Sequence, residues 1–352
     1  MMNSSVSLNE SSSPLFRTDA GAVRDEKAKM SERAEKANFR PTAALEMIRK
    51  RAEILRRIRS FFEERQFLEV ETPILSADTV VDRCLDPMTL EEAGRRYFLQ
   101  TSPEFAMKRL VTAWNVPIFQ ICKVFRRDEC GQIHNPEFTM LEFYRPGDDL
   151  ERGMKLLDDF QQTILNRGPA QAITYQAAFQ QFLGLDPFKA TVSELIRCAR
   201  NEKMVIPEGF DVSEDANRDD WLDFLLGERI QPQLGKERPA ILYDYPASQA
   251  ALAVARGEVA ERFELYADGI ELANGYHELC NPEELRRRNA ETNALRLRDG
   301  KDELPGESRL LAAMDFGFPK CAGTAVGVDR LVMLALGARS LEEIISFPFR
   351  IA

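Results

Sequence analysis

The sequence predicts an α+β fold, an antiparallel β-sheet with helices packed on one side. Three observations carry this. Asp268-Gly269 stands between RFELY and IELAN, a strong hairpin signal. The strand-like segments are mostly joined by tight turns rather than by regular strand–helix–strand units. Residues 43–66, AALEMIRKRAEILRRIRSFFEERQ, place Leu45, Ile48, Ile54, Ile58, Phe61 and Phe62 at helical spacing, the pattern of a long amphipathic helix.

The elements follow in chain order. Residues 1–40 are serine-rich, then mostly charged, with too little apolar content to offset the entropy of ordering, so a frayed tail is expected before one large domain over 41–352. After the long helix, FLEVETPIL alternates Leu68, Val70 and Thr72 with Glu69 and Glu71, and Pro73 ends that strand or places it at a sheet edge. Arg96–Gln100 and Pro117–Phe125 read as further strands. Asp148 is the expected cap of a helix that runs to Leu165 and stops at Gly168-Pro169. Residues 170–240 alternate short helices and loops without a legible motif. Strand signals return at ILYDYP (241–246) and in the hairpin segment 262–279. A polar Arg/Glu-rich helix follows, then TAVGVDRLVMLALGA (324–338). There are no internal repeats.

Composition narrows the function. Of 352 residues, 44% are hydrophobic and 30% charged, an ordinary soluble balance. The 47 basic and 57 acidic residues give a net charge of −10, a poor field for generic nucleic-acid binding. None of the six cysteines (Cys84, Cys122, Cys130, Cys198, Cys280, Cys321) forms a C-x-x-C pair, and there are only two histidines, which argues against zinc and for reduced thiols in the cytoplasm. No apolar run approaches the ~20 residues of a membrane span, and the N-terminus lacks the apolar core of a secretory signal. No GxxxxGK[ST] or GxGxxG loop supports an ordinary nucleotide fold.

Four segments carry the chemistry. FRRDECGQIHNPEFTMLEFYRP (125–146) begins with an arginine pair suited to phosphate or carboxylate and ends with Glu142 among aromatics, suited to a cation. A two-residue turn at Asp268-Gly269 pairs Ala267 with Ile270 and Tyr266 with Glu271. Glu264 then falls on the face of Glu271 as a diagonal neighbour, a pair that needs a cation such as magnesium bridging nucleotide phosphates. The alternative is an exposed hairpin with solvated glutamates. Asn274, Gly275, His277 and Glu278 share one turn-like segment, where a glycine lets a ligand approach the backbone or simply serves a loop. Gly323, Ala325 and Gly327 precede Asp329-Arg330 and an apolar helix. The small residues suit a flat ligand and Arg330 suits a phosphate, or the segment is a structural turn.

Taken together, the Pro-ended strand after a long helix, FRRDE…HNPEFTMLEFY, RFELYADGIELANGYHEL and GTAVGVDRL resemble the three motifs of class II aminoacyl-tRNA synthetases, in the lysyl subgroup, over residues 43–352. Two departures stand out. Only about forty low-complexity residues precede the long helix, where lysyl-tRNA synthetases carry an anticodon-binding domain, and Ala325 stands where they usually have glycine. With SPEFAMKRL (102–110) and PASQA (246–250), these features are similar to the lone-catalytic-domain ligases that join (R)-β-lysine to a lysine of elongation factor P.

The resemblance implies roles. Arg126 and Arg330 would serve catalysis at the ATP phosphates. ATP would also meet Arg127, Asp128, Asn135, Glu271, Leu272 and Gly327, with Asp128 and Glu129 competing for the place of one family glutamate. Ser102, Pro103, Glu104, Glu142, Tyr144, Asn274, Glu278 and Ala325 would bind the amino acid, Glu142, Tyr144 and Glu278 surrounding its distal ammonium. The alternative for these carboxylates is a buried salt-bridge network with a protein Arg or Lys. Glu264 and Glu271 would hold magnesium. His134 and His277 read as structural hydrogen-bonders. The reaction implied is ATP-dependent activation of (R)-β-lysine followed by transfer to elongation factor P. Alternatives are a lysyl-tRNA synthetase-like enzyme using α-lysine with another acceptor, and a non-catalytic regulator that binds lysine or adenylate. A homodimer built on Ala43–Pro73 is expected.

Overall fold

In the computed structural model residues 39–352 are described, and the tail expected over residues 1–40 lies almost wholly outside them. Helix α1 (Leu45–Glu63) buries Ile54, Ile58, Phe61 and Phe62 of the face foreseen from its spacing, while Ile48 is half-buried and Leu45, in the first turn, is exposed. The ring of Phe62 stacks on Phe119 at 4.8 Å. The proline-ended strand shrinks to β1 (Leu68–Glu69), which pairs in parallel with β5 (Ile118–Phe125). Between them, β2 (Leu75–Ser76), β3 (Thr89–Glu92) and β4 (Arg95–Leu99) form a small separate sheet, and α2 (Glu104–Trp114) follows.

The main sheet also contains β6 (Glu137–Pro146), β7 (Gln171–Thr174), β8 (Ala240–Pro246), β9 (Ala255–Arg256), β10 (Val259–Ala267), β11 (Ile270–His277) and β12 (Cys321–Gly327). Its order is β1-β5-β6-β12-β11-β10-β8-β7, with β9 beside β10. The centre is antiparallel as expected. The two end pairs, β1 with β5 and β7 with β8, are parallel, which turn signals do not reveal.

Helix α3 (Leu150–Leu165) starts one residue later than predicted. Asp149 is its cap, accepting from the Arg152 backbone, while Asp148 turns inward to Arg145. Helices α4 (Tyr175–Leu183), α5 (Val192–Asn201) and α6 (Arg218–Leu225) fill the stretch without a motif and build their own core around Trp221 and Tyr175. The Arg/Glu-rich helix is α7 (Pro282–Arg298), capped by Asn281. Helix α8 (Arg309–Gly317) precedes β12, and α9 (Val328–Ala335) follows it.

Alternation along the strands sends neighbouring residues to opposite faces. Phe119, Leu141 and Phe143 join α1, α3 and α9 in one core. Ile118, Tyr144 and Cys321 join α2 and α8 in another. Helices therefore flank both faces of the sheet, not one. Thr42–Arg350 form one compact unit.

Candidate active site

The central strands β6, β12 and β11 floor a cavity of about 1110 Å³. Register sets what they present. Ala325 sits between Glu142 on one neighbour and Asn274 on the other, and Gly323 lies opposite Tyr144. With period two, Glu142 and Tyr144 share the cavity face, as do Gly323, Ala325 and Gly327. Asn274, Tyr276 and Glu278 complete it. The segment expected to be turn-like from Asn274 is in fact strand to His277. Gly275 yields space to protein, since a methyl there would strike the Phe263 ring and the Thr324 hydroxyl. Gly323 is small because a methyl would run into Glu278 and the Tyr144 ring.

At one end the cavity is acidic. Glu142 is 1% exposed and accepts from Ser102 Oγ at 2.7 Å and from Tyr144 OH. Burial first, and the charge of Glu104 second, push its carboxyl up to about 7. Burial likewise pushes Glu278 up to about 8, against the opposing charge of Lys108. The salt-bridge alternative is realised in part. Lys108 Nζ contacts Glu104 and lies 2.6 Å from Glu278, while Glu142 has no cationic partner among the described residues. Pro103 caps the start of α2 and does not line the cavity.

At the other end two arginines meet the cavity. Arg126 lies over the Phe138 ring at 5.1 Å, and its Nε is buried with no hydrogen-bond partner. Arg330 is aimed by three contacts: Nε to Ile133 O at 3.2 Å, Nη1 to Glu271 O at 3.1 Å, and Nη2 to His134 Nε2 at 2.5 Å. Burial and the neighbouring Arg330 charge lower the pKa of His134, which suits a neutral acceptor. His277 is also a hydrogen-bonder, paired with Glu261. Asp329 anchors the start of α9 by accepting from Thr139 N at 3.0 Å and pairing with Arg51 at 2.6 Å. Asn135 spends its amide on Glu137 O and Phe349 N, holding the loop on which it lines the cavity.

The structure separates Asp128 from Glu129. Asp128 is exposed in a turn with φ 63°, and Arg127 is exposed beside it. Glu129 lines the cavity and approaches Arg126 at 3.5 Å.

The hairpin register is as derived at the turn, with Ala267 opposite Ile270 and Tyr266 opposite Glu271. A bulge between Leu265 and Tyr266 then moves Glu264 opposite Asn274. Glu264 accepts from Tyr245 at 2.6 Å, from Tyr266 and from Arg262 at 2.5 Å, and does not line the cavity. As placed, both its oxygens are taken by protein donors. Glu271 does open on the cavity beside Leu272. The protein packed around the cavity first, and the Glu264 charge second, raise the pKa of its carboxyl, although its side chain is 40% exposed. No cluster of three or more potential metal-binding side chains occurs among the described residues.

Sequence reasoning missed Lys108, Arg51, Phe138 and Arg262. Only Lys108 carried a signal, standing four residues after Glu104 on one helix.

Residues 25–350 match the family of tRNA synthetases class II (D, K and N). The chain is 45% identical over 321 residues to an elongation factor P–(R)-beta-lysine ligase of Haemophilus ducreyi, covering 89% of this chain and 96% of that protein. It is 46% identical to the ligase of the same name from Mannheimia succiniciproducens (89% and 98% covered) and 45% identical to that from Vibrio parahaemolyticus (90% and 99% covered).

Proposed function

The chain belongs to the class II tRNA synthetase family (D, K and N), and from that premise we propose that it is an ATP-dependent ligase that activates (R)-β-lysine and transfers it to a lysine of elongation factor P. The observation that carries this reading is one cavity with a carboxylate cluster at one end and two directed arginines at the other.

In the first step the amino-acid carboxylate attacks the α-phosphorus of ATP and pyrophosphate leaves. Arg126, whose Nε has no protein partner, and Arg330, held from behind, would neutralise charge growing on the phosphates. Glu142, Tyr144 and Glu278 would grip the distal ammonium, and Ser102 and Glu104 the nearer end. In the second step the acceptor ε-amine attacks the adenylate carbonyl, an amide forms and AMP departs. That amine, with a reference pKa of ~10.4, sheds its proton as the bond forms. Holding both reactants in one cavity supplies much of the rate.

Magnesium carried on the ATP phosphates would neutralise their charge, with Glu271 as its protein ligand. The Ala325 methyl stands between Glu142 and Asn274, where it would displace an α-amino acid backbone and favour the longer β-amino backbone. A homodimer through α1 and β1 is supported by the edge position of β1 and the exposed side chains of Leu45 and Leu68. A cytoplasmic setting accords with six free cysteines and with no described helix long and apolar enough to cross a membrane.

ATP–pyrophosphate exchange tests the reading. Exchange driven by (R)-β-lysine well above α-lysine is expected. Preference for α-lysine would overturn the β-selectivity, and no exchange with either would overturn the enzyme.

A further inference from the structure

We propose that Lys108 is a built-in counter-ion that sets the charge of the amino-acid pocket, matching it to a substrate with two ammonium groups. The inference rests on the ligase reading above.

Lys108 follows Glu104 by one helical turn, is 2% exposed and does not line the cavity. It stands behind the carboxylates, contacting Glu104 and reaching Glu278 at 2.6 Å. Burial alone would lower its pKa, but the charges of Glu104 and then Glu278 outweigh this and keep it protonated. Glu104, Glu142 and Glu278 all face the cavity, and Glu142 is bonded only to the neutral donors Ser102 and Tyr144. With the three carboxylates ionised and Lys108 protonated, two negative charges remain for the ligand.

A free diamino acid brings two ammonium groups and one carboxylate. Activation joins that carboxylate to phosphorus, so the aminoacyl group then carries two positive charges and no negative one. The pocket is balanced only as the adenylate forms, a difference in binding that favours the step itself. An amino acid with one ammonium leaves a buried negative charge without a partner. Without Lys108 three carboxylates would face two ammonium groups, and one would hold a proton near neutral pH.

The test compares the wild-type chain with Lys108→Met, Glu104→Gln and the double variant in ATP–pyrophosphate exchange driven by (R)-β-lysine across the neutral pH range. Lys108→Met is expected to lower kcat/KM by about 100-fold and to move its acid limb to higher pH. Adding Glu104→Gln removes the excess charge and is expected to restore about tenfold over Lys108→Met and return the acid limb. Losses that multiply in the double variant, with the acid limb unmoved, overturn the proposal. If Lys108→Met does not fold, proton release by the wild-type chain decides. More release on binding (R)-β-lysine than on binding its analogue with a hydroxyl for the distal amine supports the charge balance, and equal release overturns it. Wild-type exchange reports separately on the ligase reading.

Discussion

Replacing Glu278 by glutamine removes one charge from the pocket while keeping its shape. Glu278 is 1% exposed, pairs with Lys108 at 2.6 Å and lies over Gly323, so the near-isosteric amide remains seated. Two effects follow. Lys108 keeps Glu104, so the fold loses one of two buried ion-pair contacts and the cost stays below the ~3–5 kcal/mol of a buried charge left wholly unpaired. The substrate ammonium loses one of two carboxylates. A unit charge at ~4 Å in a site of effective dielectric ~20 is worth about 4 kcal/mol, and Glu142 remains to hold part of the interaction. A net loss of about 2–4 kcal/mol corresponds to roughly 30- to 1000-fold in kcat/KM for (R)-β-lysine. Initial-rate ATP–pyrophosphate exchange with each substrate varied in turn measures it, alongside a thermal melt. The KM for ATP should stay within about threefold, because Arg126 and Arg330 lie at the other end of the cavity. A variant that keeps kcat/KM for the amino acid within about threefold, with a normal melt, would refute the assignment of Glu278 to the ammonium.

Glu129→Gln should raise the KM for ATP by about five- to tenfold while Asp128→Asn stays within about twofold, since only Glu129 lines the cavity; the reverse order in exchange kinetics would reassign the contact. Asp329→Asn unpairs Arg51 and loosens the start of α9, so kcat for exchange should fall about 10- to 100-fold with amino-acid affinity, measured by calorimetry, nearly unchanged. Affinity for (R)-β-lysine should rise with pH until Glu142 (about 7) and Glu278 (about 8) are ionised in the empty pocket, because the bound ammonium groups favour the charged forms. Stability of the empty protein runs the other way. Both carboxyls have folded pKa values above their unfolded ones, so their contribution is fully present below the unfolded value and is lost as pH rises through about 7–8. Thermal melts with and without the amino acid should diverge over that window, and parallel curves would refute the shifted carboxyls.

Much of this protein is legible in local pattern. Helical spacing of Ile54, Ile58, Phe61 and Phe62 specifies the buried face of α1, because which side chains share a face depends only on the helix period. The Asp268-Gly269 turn specifies its own register for the same reason. Alternation in TMLEFY puts Glu142 and Tyr144 on one side before any fold is known. What escaped was set by long-range packing. The bulge beside Leu265 set Glu264 opposite Asn274, where Arg262 and two tyrosines enclose it. Strand register, not motif spacing, set Ala325 between Glu142 and Asn274. The choice between Asp128 and Glu129 depended on a left-handed turn that neither side chain announces. The pairing of Lys108 with Glu278 joins residues far apart in the chain, and the packing of α2 against α8 and β6 brings them together. Periodicity encodes which face a side chain takes, whereas the charge partner it meets there depends on the stacking of elements that no local pattern contains.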